Sequence, residues 1–264
     1  MTERARARRH IAGVALALSA VAWVLHLGHA AQASASPFCW SGAATGAWPS
    51  LAVLLQLHPP SALLGGWLLM LVAMMLPTLV APLLHVHQRS FRQRRPRALT
   101  LFALGYFGVW LLAGGVLVPL SLLLSLVAPQ SWGPALIAAL LALVWQCSPI
   151  KQRCLNRSHE HRALSAFGWA ADRDALRFGL SHGLWCLGSC WALMLVPMLL
   201  VQGHTAAMLA ATVLMSAERL EGPRPLRWQL RGLGKLSRIV AARIRLRAAW
   251  RSTPCADAGV LKET

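Results

Sequence analysis

The stretch Phe178-Gly-Leu-Ser-His-Gly-Leu-Trp-Cys-Leu-Gly-Ser-Cys-Trp-Ala-Leu-Met-Leu-Val-Pro-Met-Leu-Leu-Val201 contains no Asp, Glu, Lys or Arg, and the uncharged run that it opens extends to Ala217, 40 residues in all. Two such runs precede it, His10 to Gln88 with 79 residues and Ala98 to Ile150 with 53. Of the 264 residues, 172 fall in these three blocks, and all 34 charged side chains are confined to the remainder. A soluble domain spreads its charges over a continuous surface, whereas uncharged apolar runs of about 20 residues or more mark membrane spans. The sorting argues against a soluble fold, and a hydrophobic content of 56% argues against disorder. The formal charge of +18 does not point to nucleic acid, because the arginines flank apolar blocks instead of forming one basic face.

Each block divides into two apolar segments. Ile11 to Ala31 and about Ser61 to Val86 form the first pair, separated by a stretch of small and polar residues. Leu99 to Ala128 and Gly133 to Ile150 are parted by Ala128-Pro-Gln-Ser-Trp-Gly-Pro134, where two prolines and a glycine favour a turn. About His182 to Val201 and Thr205 to Ala217 are parted by Gln202-Gly-His204. Backbone groups in hydrocarbon must be satisfied within the segment or by a closed barrel, and the weak ten-residue alternation of a barrel is lacking. The expected fold is therefore all-α, a polytopic bundle of six transmembrane helices. With six spans, the N-terminus, the 89–97 loop, the 151–177 loop and the C-terminus share one side and hold 4, 5, 6 and 11 Lys/Arg, which is all 26. The positive-inside rule places that side, with both termini, in the cytoplasm of a bacterial inner membrane. A rival for the beginning is a secretory signal peptide, with Arg4 to Arg9 as its basic end and Ala31-Gln-Ala-Ser-Ala35 as a small-residue cleavage site. The length of the apolar run and the presence of Trp23 and His26 weigh against it.

The domain division expected is a six-span unit over 1–220 and a basic cytoplasmic tail over 221–264. Gly222-Pro-Arg-Pro225 ends the last span; Leu226, Leu230, Leu233, Leu236, Val240 and Ile244 then recur every three or four residues among arginines. That pattern describes an amphipathic helix on the anionic lipids of the cytoplasmic leaflet.

A P-loop, a dinucleotide fingerprint, zinc-protease signatures and facing carboxylate pairs are all missing from the sequence, so hydrolytic chemistry has no evident machinery. The uncharged blocks carry soft donors instead. His182, Cys186, Cys190, Met194 and Met198 each follow the last by four residues. On a helix a step of four advances about 400°, so the five form one slowly turning stripe about 24 Å long. Thiolate and thioether donors select a soft ion such as Cu(I); imidazole also admits zinc. The second span offers Met70, Met74 and Met75, with Pro77 able to free a backbone carbonyl and His85 and His87 near its cytoplasmic end. Contact between the second and fifth spans would let Met74 complete a sulfur site with Cys186 or Cys190. Cys154 with His159 and His161 in the 151–177 loop, and the single residues Cys39, His58 and His204, are further isolated donors. Glu218 is the one acid near hydrocarbon and is expected to snorkel or to pair with Arg219. The bland alternative is that Met and Cys are packing residues, in a structural or assembly subunit of a larger membrane complex that binds no metal.

Three motifs, Trp67-Leu-Leu-Met-Leu-Val-Ala-Met-Met-Leu-Pro77, Ser148-Pro-Ile-Lys-Gln-Arg-Cys-Leu155 and Gly179-Leu-Ser-His-Gly-Leu-Trp-Cys-Leu-Gly-Ser-Cys-Trp-Ala-Leu-Met194, resemble the bacterial family of predicted metal-binding integral membrane proteins over about residues 15 to 220. The resemblance implies a multi-span inner-membrane protein that handles copper by delivery, storage or passage, for a cuproenzyme or a membrane complex. It also implies His182, Cys186, Cys190, Met194, Met70, Met74 and Met75 as ligands. Where many relatives carry a second cysteine four residues after Cys154, this chain has Ser158 followed by His159, which puts a loop site in doubt. The basic tail lies outside the resemblance.

Overall fold

Proline and glycine punctuate the sequence, and most helix starts fall on or beside them. The computed structural model describes residues 3–32, 59–127, 131–160, 162–165, 167–200, 202–230, 234, 238 and 241–245. Its helices are α1 (Glu3–Gln32), α2 (Pro60–Met75), a 3-10 turn (Leu76–Leu79), α3 (Val80–Arg89), α4 (Arg95–Val127), α5 (Gly133–Cys147), α6 (Pro149–Ser158), α7 (Gly168–Leu199) and α8 (His204–Leu220). No strand occurs among the described residues. Proline occupies one of the first two positions of α2, α5 and α6, where its missing N–H costs nothing. Gly203 caps α8 in the left-handed region, at φ 78°.

Four helical stretches are long and apolar enough to cross a membrane: Ala5–Gly28, Pro60–Arg89, Arg95–Leu124 and Gly168–Leu199. The pair α5 and α6 makes a fifth if a bend of 67° between them is allowed. The remaining expected span is α8, whose 17 residues are fewer than the about 20 that hydrocarbon requires. The outward faces are apolar, with Leu112 78% and Ile137 69% exposed, as lipid-facing helices require.

Two expected boundaries are corrected. The segment 151–177 is not an open loop: α6 fills its first part, and α7 begins at Gly168. Ser148 accepts the Lys151 amide as N-cap and Pro149 starts the helix, so the polar sequence turns back on the bundle. At the N-terminal end of α7, Asp172 pairs with Arg94 at 2.9 Å and Arg97 at 2.8 Å, which moors it to α4. The amphipathic tail does not start at Leu226 either. Residues 221–230 are non-helical, held by Asn156, which donates to Arg224 O at 2.8 Å, and by the Gln229 amide, which donates to Cys147 O at 3.2 Å. Residues 241–245 are helical. Leu233, Leu236, Val240, Cys39, His58, His161, residues 33–35 of the cleavage motif and 128–130 of the turn lie outside the described residues.

The most extensive helix pairing is α4 with α7, and glycine makes it. A Cβ on Gly105 would sit 2.6 Å from Leu176 O, and one on Gly179 would collide with Phe102 O; Gly183 lies against Tyr106 O and Val109. Gly179 and Gly183 are four apart, the small-residue spacing that lets membrane helices approach closely. Gly179→Ala is expected to destabilise the bundle by about 1–3 kcal/mol, the usual cost of overpacking, read as a lowered midpoint of thermal unfolding of the detergent-solubilised protein. An unchanged midpoint would refute the close α4–α7 approach.

Pro77 has the expected effect on its helix. It cannot donate to Ala73 O, the helix breaks into the 3-10 turn, and the freed carbonyl accepts Ser19 Oγ–H of α1 at 2.6 Å. Ala15, Ser19 and Ala22 are buried on that face of α1.

Candidate metal centre

All five stripe residues face the core. His182, Cys186, Cys190, Met194 and Met198 are 4%, 1%, 2%, 0% and 1% exposed. Met70, Met74 and Met75 of α2 are also fully buried, and they belong to the same buried cluster as the α7 sulfurs. Met208 and Met215 of α8 complete that cluster, although the sequence reasoning passed over them. Their signal was available: they are seven residues apart with Ala211 between, all three buried on one helical face. The backbone of α2 packs chiefly on α1, α4 and α8 rather than on α7, so the expected meeting of the second and fifth spans is confined to side chains of the shared buried cluster.

The centre of the stripe is a thiol pair. Cys186 and Cys190 are one turn apart on α7 and their thiols are hydrogen-bonding neighbours. Tyr106 of α4 brings its hydroxyl 3.2 Å from Cys186 Sγ, and Ser189 Oγ lies 3.3 Å from Cys190 Sγ. The close α4–α7 approach places Tyr106 there, because Gly183 lies against the Tyr106 carbonyl. The guanidinium of Arg219, at the end of α8, interacts with Cys186 and lies within electrostatic reach of Cys190. Its Nη2 atom is buried and finds no hydrogen-bond partner among the described residues. A buried N–H without a partner is costly.

His182 is enclosed by aromatic rings, with centroids of Phe102, Tyr106 and Phe178 at 6.1, 6.0 and 6.0 Å. His85 is at one remove: Nε2 is 2.9 Å from Arg162 O, and its ring stands 5.6 Å from Phe178. A carbonyl can only accept, so Nε2 carries the proton. Cys154 is on α6, buried, and a Cβ on Gly188 would be 2.7 Å from its sulfur. Gly188 lies about 180° around α7 from the mean direction of Cys186 and Cys190, so Cys154 packs behind the thiol pair and does not join it.

Glu218 does not pair with its neighbour Arg219. It binds Lys151 Nζ at 2.8 Å, with the two side chains 1% and 0% exposed, and Gln146 bridges them, accepting from Lys151 at 2.5 Å and donating to Glu218. By sequence Lys151 is a charge of the 151–177 loop; the structure ties it instead to α5 and α8.

Among the described residues no three His, Cys, Asp or Glu side chains converge on one point. Donors beyond the two cysteines would therefore be thioethers, which narrows the fit to a soft, low-coordinate ion. A cavity of about 660 Å³ opens at the Arg219 end, lined among others by Arg8, Pro77, Thr78, His85, Ser216 and Arg219. Arg219 thus stands between this vestibule and the thiols.

Comparison with known proteins gives one finding. The profile of a family described as PpoB2, copper chaperone, matches residues 64–241, which includes the buried methionines of α2, α7 and α8, the thiol pair and the start of the tail. No curated protein and no solved structure matches.

Proposed function

We propose, from the premise that this chain belongs to the PpoB2 copper chaperone family, that it is a bacterial inner-membrane protein whose cargo is Cu(I), held by Cys186 and Cys190. Met74 and Met194 serve as thioether donors and His182 lies one turn below. The observation that carries the proposal is the buried thiol pair with a cation beside it in a sulfur-lined core. Each cysteine gives up a proton when it binds, so two thiolates and Cu(I) form a unit of net charge −1. An uncompensated anion in a low-dielectric interior costs several kcal/mol. The Arg219 guanidinium cancels it and supplies an N–H to thiolate sulfur. No electron moves; the ion is carried, not reduced or oxidised.

The proposed topology has six spans, with α8 as the short sixth and both termini cytoplasmic. The basic tail then rests on anionic lipid, and the vestibule opens toward the cytoplasm. Copper is passed to a cuproenzyme or to a membrane complex. Anaerobic titration of the purified protein with Cu(I) against a chromophoric chelator tests the proposal. Wild type should hold copper, and Arg219→Gln should hold it about 10–100-fold more weakly, the usual loss when a group supporting a ligand is removed. Failure of the wild type to hold any copper would overturn it.

A further inference from the structure

The opposite end of the bundle from Arg8 and Arg219 carries two imidazoles that the sequence keeps far apart. His26, near the end of α1, and His204, the first residue of α8, have ring centroids 5.4 Å apart. The two helices otherwise pack mainly on other partners, α1 on α2 and α3, α8 on α7. His204 is 8% exposed.

We infer that His26 and His204 form a second soft-metal site, taking Cu(I), at the end of the sulfur cluster away from the vestibule. His204 Nδ1 is 2.6 Å from Pro197 O. A carbonyl oxygen only accepts, so Nδ1 carries the hydrogen and Nε2 is the lone-pair nitrogen. A ring nitrogen fixed by a backbone carbonyl is how metal-binding histidines are commonly oriented. The carbonyl belongs to the last turn of α7 and also accepts the Leu200 amide at 3.4 Å; its bond to the ring means that α7 sets the tautomer of a residue on α8. Trp23 stands edge-on to His26 at 6.2 Å and confines the second ring. Met208 lies one turn after His204, and residues four apart share a helix face; it is fully buried and lies in the same cluster as Met194 and Met198. From Cys186 to Pro197 is about 16 Å along α7, so the two sites stand at separate levels, thiols at one and imidazoles at the other. Two neutral imidazoles and a thioether suit a monovalent soft ion, and they bind it without releasing a proton.

The inference rests on the copper reading above, and the test separates the two. Full-length protein in lipid nanodiscs is titrated anaerobically with Cu(I), bound copper is counted, and nitrogen and sulfur ligation are distinguished by X-ray absorption. Wild type should hold two equivalents, one sulfur-bound and one with nitrogen ligands. His26→Gln, alone and with His204→Gln, should lose the nitrogen-bound equivalent and keep the other. Cys186→Ser/Cys190→Ser should show the reverse. The single His26→Gln leaves the His204 bond to Pro197 in place, so loss of copper there is not loss of fold. Two equivalents and an unchanged nitrogen shell in both histidine variants would overturn the second site alone. No bound copper in any protein, wild type included, would overturn the copper reading with it.

Discussion

Cys186→Ser/Cys190→Ser is expected to weaken Cu(I) retention at the thiol site by at least about a thousandfold, equivalent to about 4 kcal/mol, leaving any nitrogen-bound equivalent in place. Serine keeps the size and the hydrogen bonds that Tyr106 and Ser189 make to the two positions, so the fold should persist. What disappears is the soft anionic donor, because a hydroxyl neither ionises at neutral pH nor favours a soft ion. The remaining thioethers of Met74 and Met194 are neutral and hold the ion less firmly. Competition with a Cu(I) chelator under anaerobic conditions measures the change. Retention equal to wild type would remove the thiol pair from the function and leave its sulfurs as packing atoms.

Glu218→Gln is expected to lower the stability of the bundle by about 3–5 kcal/mol, the cost of leaving a buried charge without its partner. Lys151 has no exposed side-chain surface through which to recover hydration. The double variant Lys151→Met/Glu218→Leu should regain most of the loss, since a buried ion pair exchanged for apolar side chains of similar volume is often neutral or better. Thermal unfolding of the solubilised single and double variants checks both halves. A single variant as stable as wild type, or a double variant no better than the single, would show that the pair does not stabilise the bundle.

The helical class and the donor stripe were legible because they rest on local patterns. Uncharged runs mark spans wherever they end up, and a spacing of four puts His182, Cys186, Cys190, Met194 and Met198 on one face in any helix. The break at Pro77 followed equally from a missing N–H. What the sequence could not give were the meetings between helices. Nothing near Ser19 says that it will accept the task of capping Ala73, and nothing in Glu218-Arg219 says that the two will face different partners, Lys151 and Cys186. The 151–177 segment misled for a related reason: its charges read as solvated loop, but Ser148 and Pro149 start a helix whose polar face is satisfied inside the bundle. His204 reads as an isolated donor and His26 only as a poor fit to a signal-peptide core until α1 and α8 place them together.

The buried lysine also sets an order of events during synthesis. Its counter-ion Glu218 follows it by 67 residues in the chain. At a ribosomal rate of about 5–20 residues per second, that separation is a delay of about 3–13 s. During it Lys151 has no counter-ion, and the low-dielectric place it finally occupies is closed to it. In the proposed membrane topology the α5–α6 elbow waits at the aqueous boundary until α8 emerges and folds in. The same helix brings Arg219 to the thiols, so α8 both closes the bundle and completes the candidate copper site.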